Sequence, residues 1–110
     1  MKYIYLLKLH GHNIFKIGFT KNEPKERIKP LQTGNPYEIE LVASHKSELA
    51  TKIESVLHRK FESYKTSMEA DIHLSGEWFE LPLTEAIKFT ETCKKIEEDL
   101  IFLLENSTLS

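Results

Sequence analysis

The chain has 110 residues, of which 40% are apolar and 29% charged, with a formal net charge of −2. That is enough for one compact domain and too apolar for a disordered chain, and it contains no run of about 18 apolar residues of the kind that spans a membrane. The near-neutral total excludes a uniformly basic nucleic-acid binder but hides a division: residues 1–36 hold seven Lys/Arg against two Glu, and residues 66–110 hold three basic against ten acidic groups. One basic region is therefore left as the expected meeting place for a polyanion.

Residues 2–9 and 13–20 are rich in Ile, Tyr, Phe and Leu and read as two strands joined through His10-Gly11-His12-Asn13. The strand pattern starts at once, so no cleaved leader is expected. Gly11-His12 suits a two-residue turn with glycine at its first central position. That register pairs residues whose numbers sum to 23. It puts Ile4, Leu6, Phe15, Ile17 and Phe19 on the face expected to be buried. The other face carries Tyr3, Tyr5, Leu7, Lys16, Gly18 and Thr20, with Tyr5 opposite Gly18 and diagonal to Lys16. His10 and His12 have the spacing of metal ligands, but the sequence names no third ligand, so they read as a solvated turn.

A first helix is expected from about Glu23 to Gln32, with Asn22 as its cap and Pro24 in its first turn. Thr33-Gly34-Asn35-Pro36 ends it. A third strand follows at about Glu38–Ser44. A second helix runs from about Ser47 to Tyr64, with Leu49, Ile53, Val56, Leu57 and Phe61 on its core side and Glu54 at the edge of that stripe, one turn before His58. Residues 65–76 read as a polar loop, and Gly76–Leu81 as a short strand or turn that docks two aromatic rings. A third helix is expected from Thr84, its cap, to about Glu105, with residues 106–110 fraying. Its stripe is Ala86, Phe89, Cys93, Ile96, Leu100 and Leu103. Ile101, Phe102 and Leu104 are surplus and suit a homodimer seam. The lone Cys93 allows no internal disulfide and fits an intracellular setting. The fold class read from this order is α/β (α+β), a small three-stranded antiparallel sheet flanked by helices. The expected division is 1–82 as the main domain and 83–110 as an appended helix on it.

Four short segments, taken in order, resemble the GIY-YIG nuclease family. They are Tyr3-Ile4-Tyr5, Lys16-Ile17-Gly18, Lys25-Glu26-Arg27-Ile28 and Ile53-Glu54-Ser55-Val56-Leu57-His58. Leu31-Gln32-Thr33-Gly34-Asn35-Pro36 and Gly76-Glu77-Trp78-Phe79 look like a short phage and bacterial branch often labelled as DNA-binding domains. The resemblance covers roughly residues 2–81. Lys16 stands where the family more often has tyrosine.

The resemblance implies a metal-dependent endonuclease acting on DNA. Its catalytic residues would be Tyr5, Lys16, Arg27, Glu54 and His58. Glu54 would hold Mg²⁺ or Mn²⁺; magnesium commonly keeps several waters and takes only one or two protein carboxylates, so a lone glutamate is chemically acceptable. Arg27 would grip the scissile phosphate in bidentate fashion. Tyr5 would bond the attacking water or move a proton, and Lys16 would be either general base or electrostatic clamp. Further substrate contacts would come from Tyr3, Gly18, Lys21 and Trp78, the last as a stacking ring or as core.

Each residue alone has an ordinary reading: a sheet aromatic, a solvated lysine, a surface arginine, a solvated helix carboxylate, a packed histidine. Their joint order singles them out. Two rival functions fit the same residues. One is a nucleic-acid-binding module that uses the cleft without cutting. The other is an interaction or regulatory subunit that dimerises through the third helix.

Overall fold

The computed structural model describes residues 2–66 and 78–107. Four strands, β1 (Tyr3–Leu9), β2 (Ile14–Thr20), β3 (Ile39–Lys46) and β4 (Trp78–Glu80), form one antiparallel sheet in the order β3-β1-β2-β4. The expected three-stranded sheet is thus corrected to four. The segment read as a strand or turn pairs Trp78 with Lys16, Phe79 with Phe15 and Glu80 with Ile14. The polar loop expected at 65–76 lies mostly outside the described residues, as do Gly76, Glu77 and residues 108–110.

The hairpin register is the one the sequence dictates, with Tyr3 opposite Thr20, Tyr5 opposite Gly18 and Leu7 opposite Lys16. Its turn sits one residue earlier than expected. The His12 N–H donates to the Leu9 carbonyl at 3.0 Å, which places Gly11 at the turn's third position with φ +80°. A side chain would strain the backbone there, and glycine supplies the angle without cost.

The first helix breaks in two. A 3-10 turn (Pro24–Arg27) leads into α1 (Ile28–Gln32). Pro30 lies inside the expected span and has no N–H for the Glu26 carbonyl, so the α-helical bond that would join the two pieces is missing; Pro30 itself sits in the first turn of α1, where that N–H is not needed. No side chain caps the turn, whose flanking residue is Glu23 rather than Asn22.

The second helix is shorter than expected: α2 spans Ala50–Lys60, followed by a 3-10 turn at Glu62–Tyr64. The Ser47 hydroxyl accepts the Leu49 N–H at 3.0 Å and organises the approach. The third helix is also divided, into α3 (Leu83–Ile87) and α4 (Phe89–Ser107), with Lys88 as a turn between them. Pro82, not Thr84, precedes the first piece. Asn106 and Ser107 remain helical rather than frayed.

Both faces of the sheet are buried, where one was expected. Ile4, Leu6, Phe15 and Ile17 pack under Ile53 and Leu57 of α2 and under Phe89 and Cys93 of α4. Tyr5, Leu7, Leu9, Ile14, Ile39 and Trp78 form a second cluster on the opposite face, closed by Ile28 and Leu31 of α1 and by Tyr37. Each fully buried aliphatic or aromatic side chain contributes about 1.5–3 kcal/mol of transfer free energy. Beyond Leu100, α4 leaves the sheet, and residues 101–107 are all exposed, Phe102 and Leu103 by more than 60%. Among the described residues no helix is long and apolar enough to cross a membrane.

Candidate functional site

The hairpin builds the first half of the site. Tyr5 is 2% exposed and lies flat over Gly18 on the neighbouring strand. A Cβ at position 18 would stand 2.5 Å from the Tyr5 Cζ, inside van der Waals contact, so only glycine lets the ring settle there. Two residues back on the same face, the Lys16 Nζ sits 5.7 Å from the centre of the Trp78 ring, within cation–π range. Trp78 itself is 1% exposed; it is a core ring that shapes the lysine's surroundings, not a surface for stacking bases.

Arg27 ends the 3-10 turn and is half-buried. The next residue, Ile28, packs on the Tyr5 cluster, which brings the guanidinium-bearing turn to the rim of this face. The Thr20 hydroxyl accepts the Asn22 N–H at 3.1 Å and fixes the exit from β2 toward that turn. Lys21 is exposed at the same exit, and Tyr3 is half-buried beside Thr20.

Glu54 and His58 come from the other side. Their helix, α2, lies on the face opposite Tyr5 and Lys16. His58 Nε2 is 2.9 Å from the Ile17 carbonyl, so this nitrogen carries the proton and donates. The ring also meets Phe79 edge-on at 5.2 Å. Ile17 follows Lys16, which pairs with Trp78 of β4, so the imidazole meets a backbone carbonyl of β2 beside the last described pair. Glu54, one turn earlier, is half-buried. The phenol and amine therefore share one face, and the carboxylate and imidazole belong to a helix on the other. Both groups are anchored to the same three residues, Lys16, Ile17 and Gly18.

For a divalent cation, Glu54 offers one carboxylate. Among the described residues, the set of His, Cys, Asp and Glu close enough to share an ion is His10, Glu38 and Glu40, at the far end of the sheet. His10 already pairs with the Glu40 carboxylate through Nδ1. This corrects the reading of His10 as a histidine without further ligand-type neighbours. Its neighbours come from β3, held by the His10 N–H bond to the Glu38 carbonyl at 2.8 Å. A cation at Glu54 would take its remaining ligands from water and substrate phosphate, which magnesium tolerates.

Two surface recesses of about 360 and 500 Å³ are lined by residues such as His12 and Glu80, and Val56 and Lys95; no expected site residue lines either. The sequence reading also missed Ser44 and Lys46. β3 brings Ser44 opposite Tyr5 and Lys46 opposite Tyr3. Strand partners distant in sequence leave no local signal, although the consecutive apolar residues Leu41-Val42-Ala43 mark where the strand's alternation fails.

Cys93 takes no part in the site. Burial, reinforced by the Glu97 carboxylate, pushes its thiol up to about 12, far from a nucleophile's range. Glu97 also approaches His45 Nε2 at 3.5 Å, tying α4 to β3.

Comparison with known proteins adds the following. The family model described as the T5orf172 domain matches residues 2–96. A putative KilA-N domain-containing protein, 315L, of Invertebrate iridescent virus 6 is 34% identical over 103 residues, covering 83% of this chain. The chain spans about two fifths (39%) of that relative's length. No solved structure matches. The T5orf172 match overturns the GIY-YIG resemblance. The motifs behind that resemblance are only a few residues each, short enough for unrelated strands and helices to carry.

Proposed function

The chain belongs to the T5orf172 domain family, and on that footing we propose that it is a DNA-binding domain. The observation that carries this reading is the cationic character of one sheet face and its rim. Lys16 emerges there over Trp78, Arg27 stands at the edge, and Lys21 lies in solvent where β2 ends. α4, behind the other face, carries five acidic against two basic residues. A polyanion approaching the first face meets amines and a guanidinium, each able to displace a counterion from a phosphate. A cationic rim around a covered centre suits a nucleic-acid backbone better than an enclosed cavity does, since phosphates are contacted from a surface.

A second reading adds phosphodiester cleavage, and the tie between α2 and β2 favours it. His58 is bonded to Ile17, between Lys16 and Gly18, and carries Glu54 one turn away. In this reading Arg27 grips the phosphate. Lys16 holds a second oxygen or accepts the proton of the attacking water. The Tyr5 ring keeps Gly18 and Lys16 in register. Glu54 would hold Mg²⁺ or Mn²⁺ on the α2 side of the sheet, and the ion would supply positive charge to a phosphate that reaches that side. A homodimer through the exposed end of α4 is compatible with either reading.

The test is incubation of the full chain with plasmid and with single-stranded DNA, in Mg²⁺ or EDTA, beside Glu54→Ala. Binding in EDTA with no strand breaks supports the binding domain alone. Breaks that require both the metal and Glu54 establish the second reading. Absence of binding at low salt removes both.

A further inference from the structure

The geometry points to Lys46, with Ser44 beside it, as a second phosphate contact that a β-bulge in β3 swings onto the DNA-facing side of the sheet. This rests on the DNA-binding reading and deepens it.

The register of β3 on β1 slips between Leu6 and Leu7: Leu7 pairs with Leu41, but Leu6 pairs with Ala43. Val42 is the extra residue, and it is 43% exposed. One inserted residue reverses which side chains face which way along the rest of a strand. The packing records that reversal. Before the slip, Ile39 and Leu41 pack in the Tyr5 cluster. After it, Ala43 packs in the opposite cluster and His45 meets Glu97 of α4. Ser44 and Lys46 are therefore turned to the Tyr5 side, and both are exposed. Unbroken alternation would have sent Lys46 under α4 toward Glu97, and His45 to the basic face.

The slip also sorts charge. Glu38 and Glu40 precede it and lie on the face away from Tyr5, beside His10. Lys46 follows it and stands in one cross-strand row with Tyr3 and Thr20. Among the described residues no carboxylate pairs with Lys46. The nearest acids in sequence to Arg27, Glu23 and Glu26, are solvent-exposed on the turn that crosses this face.

Spacing decides what kind of ligand this arrangement takes. Lys46 is two strands across and four residues along from Lys16, about 16 Å, from ~4.8 Å between strands and ~3.3 Å per residue. Two lysines standing off a sheet at that distance hold different phosphates. The ligand is then a polynucleotide backbone, and a mononucleotide would engage only one end of the face.

The experiment is fluorescence anisotropy of a labelled 20-base-pair duplex with the full chain, read across salt concentrations. Lys46→Gln should weaken binding roughly eightfold at 0.1 M salt and flatten the log–log salt slope by about 0.9, the share of one neutralised phosphate. Lys46→Arg should restore both. Lys95→Gln, the same charge change on α4, should alter neither. A mononucleotide at millimolar concentration should fail to displace the duplex. Unchanged affinity and slope for Lys46→Gln, with Arg27→Ala weakened, would overturn the second contact and leave DNA binding in place. Displacement by the mononucleotide would overturn it too. A wild-type chain that ignores the duplex would overturn this contact and the DNA-binding reading together.

Discussion

The two faces of the sheet hold similar apolar clusters but are closed by different means. One lies beneath α2 and α4, of 11 and 19 residues, and its principal polar feature is the His45–Glu97 approach. The other is closed by a 3-10 turn, by the five-residue α1 and by Tyr37, and it lets Lys16, Arg27, Ser44 and Lys46 reach solvent at its margins. A long amphipathic helix covers the centre of a sheet face and keeps its polar side chains, Glu54 among them, at its outer edge. A short cover buries the centre and leaves a polar rim. The contrast teaches a division of labour: the helical face stabilises, and the thinly covered face is available for recognition.

The strongest way to break that contrast is Leu57→Ala. Leu57 is fully buried in the helical face, so the change should cost about 2–5 kcal/mol in a denaturant titration. DNA affinity per folded molecule should stay unchanged; a large affinity loss at full folding would refute the division.

Gly18→Ala comes next and acts on the other face. The new methyl collides with the Tyr5 ring and should cost about 1–3 kcal/mol. The cost should shrink in a Tyr5→Leu background, where the ring is gone, and a double-mutant cycle reads this as coupling. Equal costs in both backgrounds would mean that the contact is relieved elsewhere.

The smallest effect at neutral pH belongs to Cys93. Its thiol is raised from 9.0 to about 12 in the folded chain. Below pH 9 both states hold the proton and stability is unaffected. Between pH 9 and about 12 the unfolded chain releases it first, so stability should fall as pH rises across that window. Cys93→Ala should remove that part of the decline, and a thiol reagent at pH 8 should label Cys93 only after unfolding.

The hairpin was legible because parity and burial agree there: the loop length, the alternation of Ile and Tyr, and the glycine opposite an aromatic ring all demand one register. The second buried face is not legible, because the face of Tyr5, Leu7, Lys16 and Gly18 reads as a site-bearing surface when Tyr5 and Leu7 are also a core. β4 is legible as a short strand or turn but not as a member of the sheet, because three residues carry too little pattern to claim a sheet position. The first helix failed at Pro30, a local rule that the periodic reading passed over. Within the site, Tyr5, Lys16 and Gly18 were found together because they lie on one hairpin. The placement of Glu54 behind the sheet depends on strand order, which leaves no mark in neighbouring sequence, and that of Lys46 on one extra residue in β3, whose only local trace is the unbroken apolar run Leu41-Val42-Ala43.

The hydrogen bond from His58 to Ile17 has a consequence for solubility. A strand acceptor left without a bond is open to pairing with another extended chain, a common route to aggregation. By resting an imidazole on the Ile17 carbonyl, and bracing the ring against Phe79, α2 occupies a backbone acceptor of β2 and withholds it from any other chain. The same side chain that was sought as a reagent thus serves as a stopper that keeps neighbouring molecules from extending the sheet.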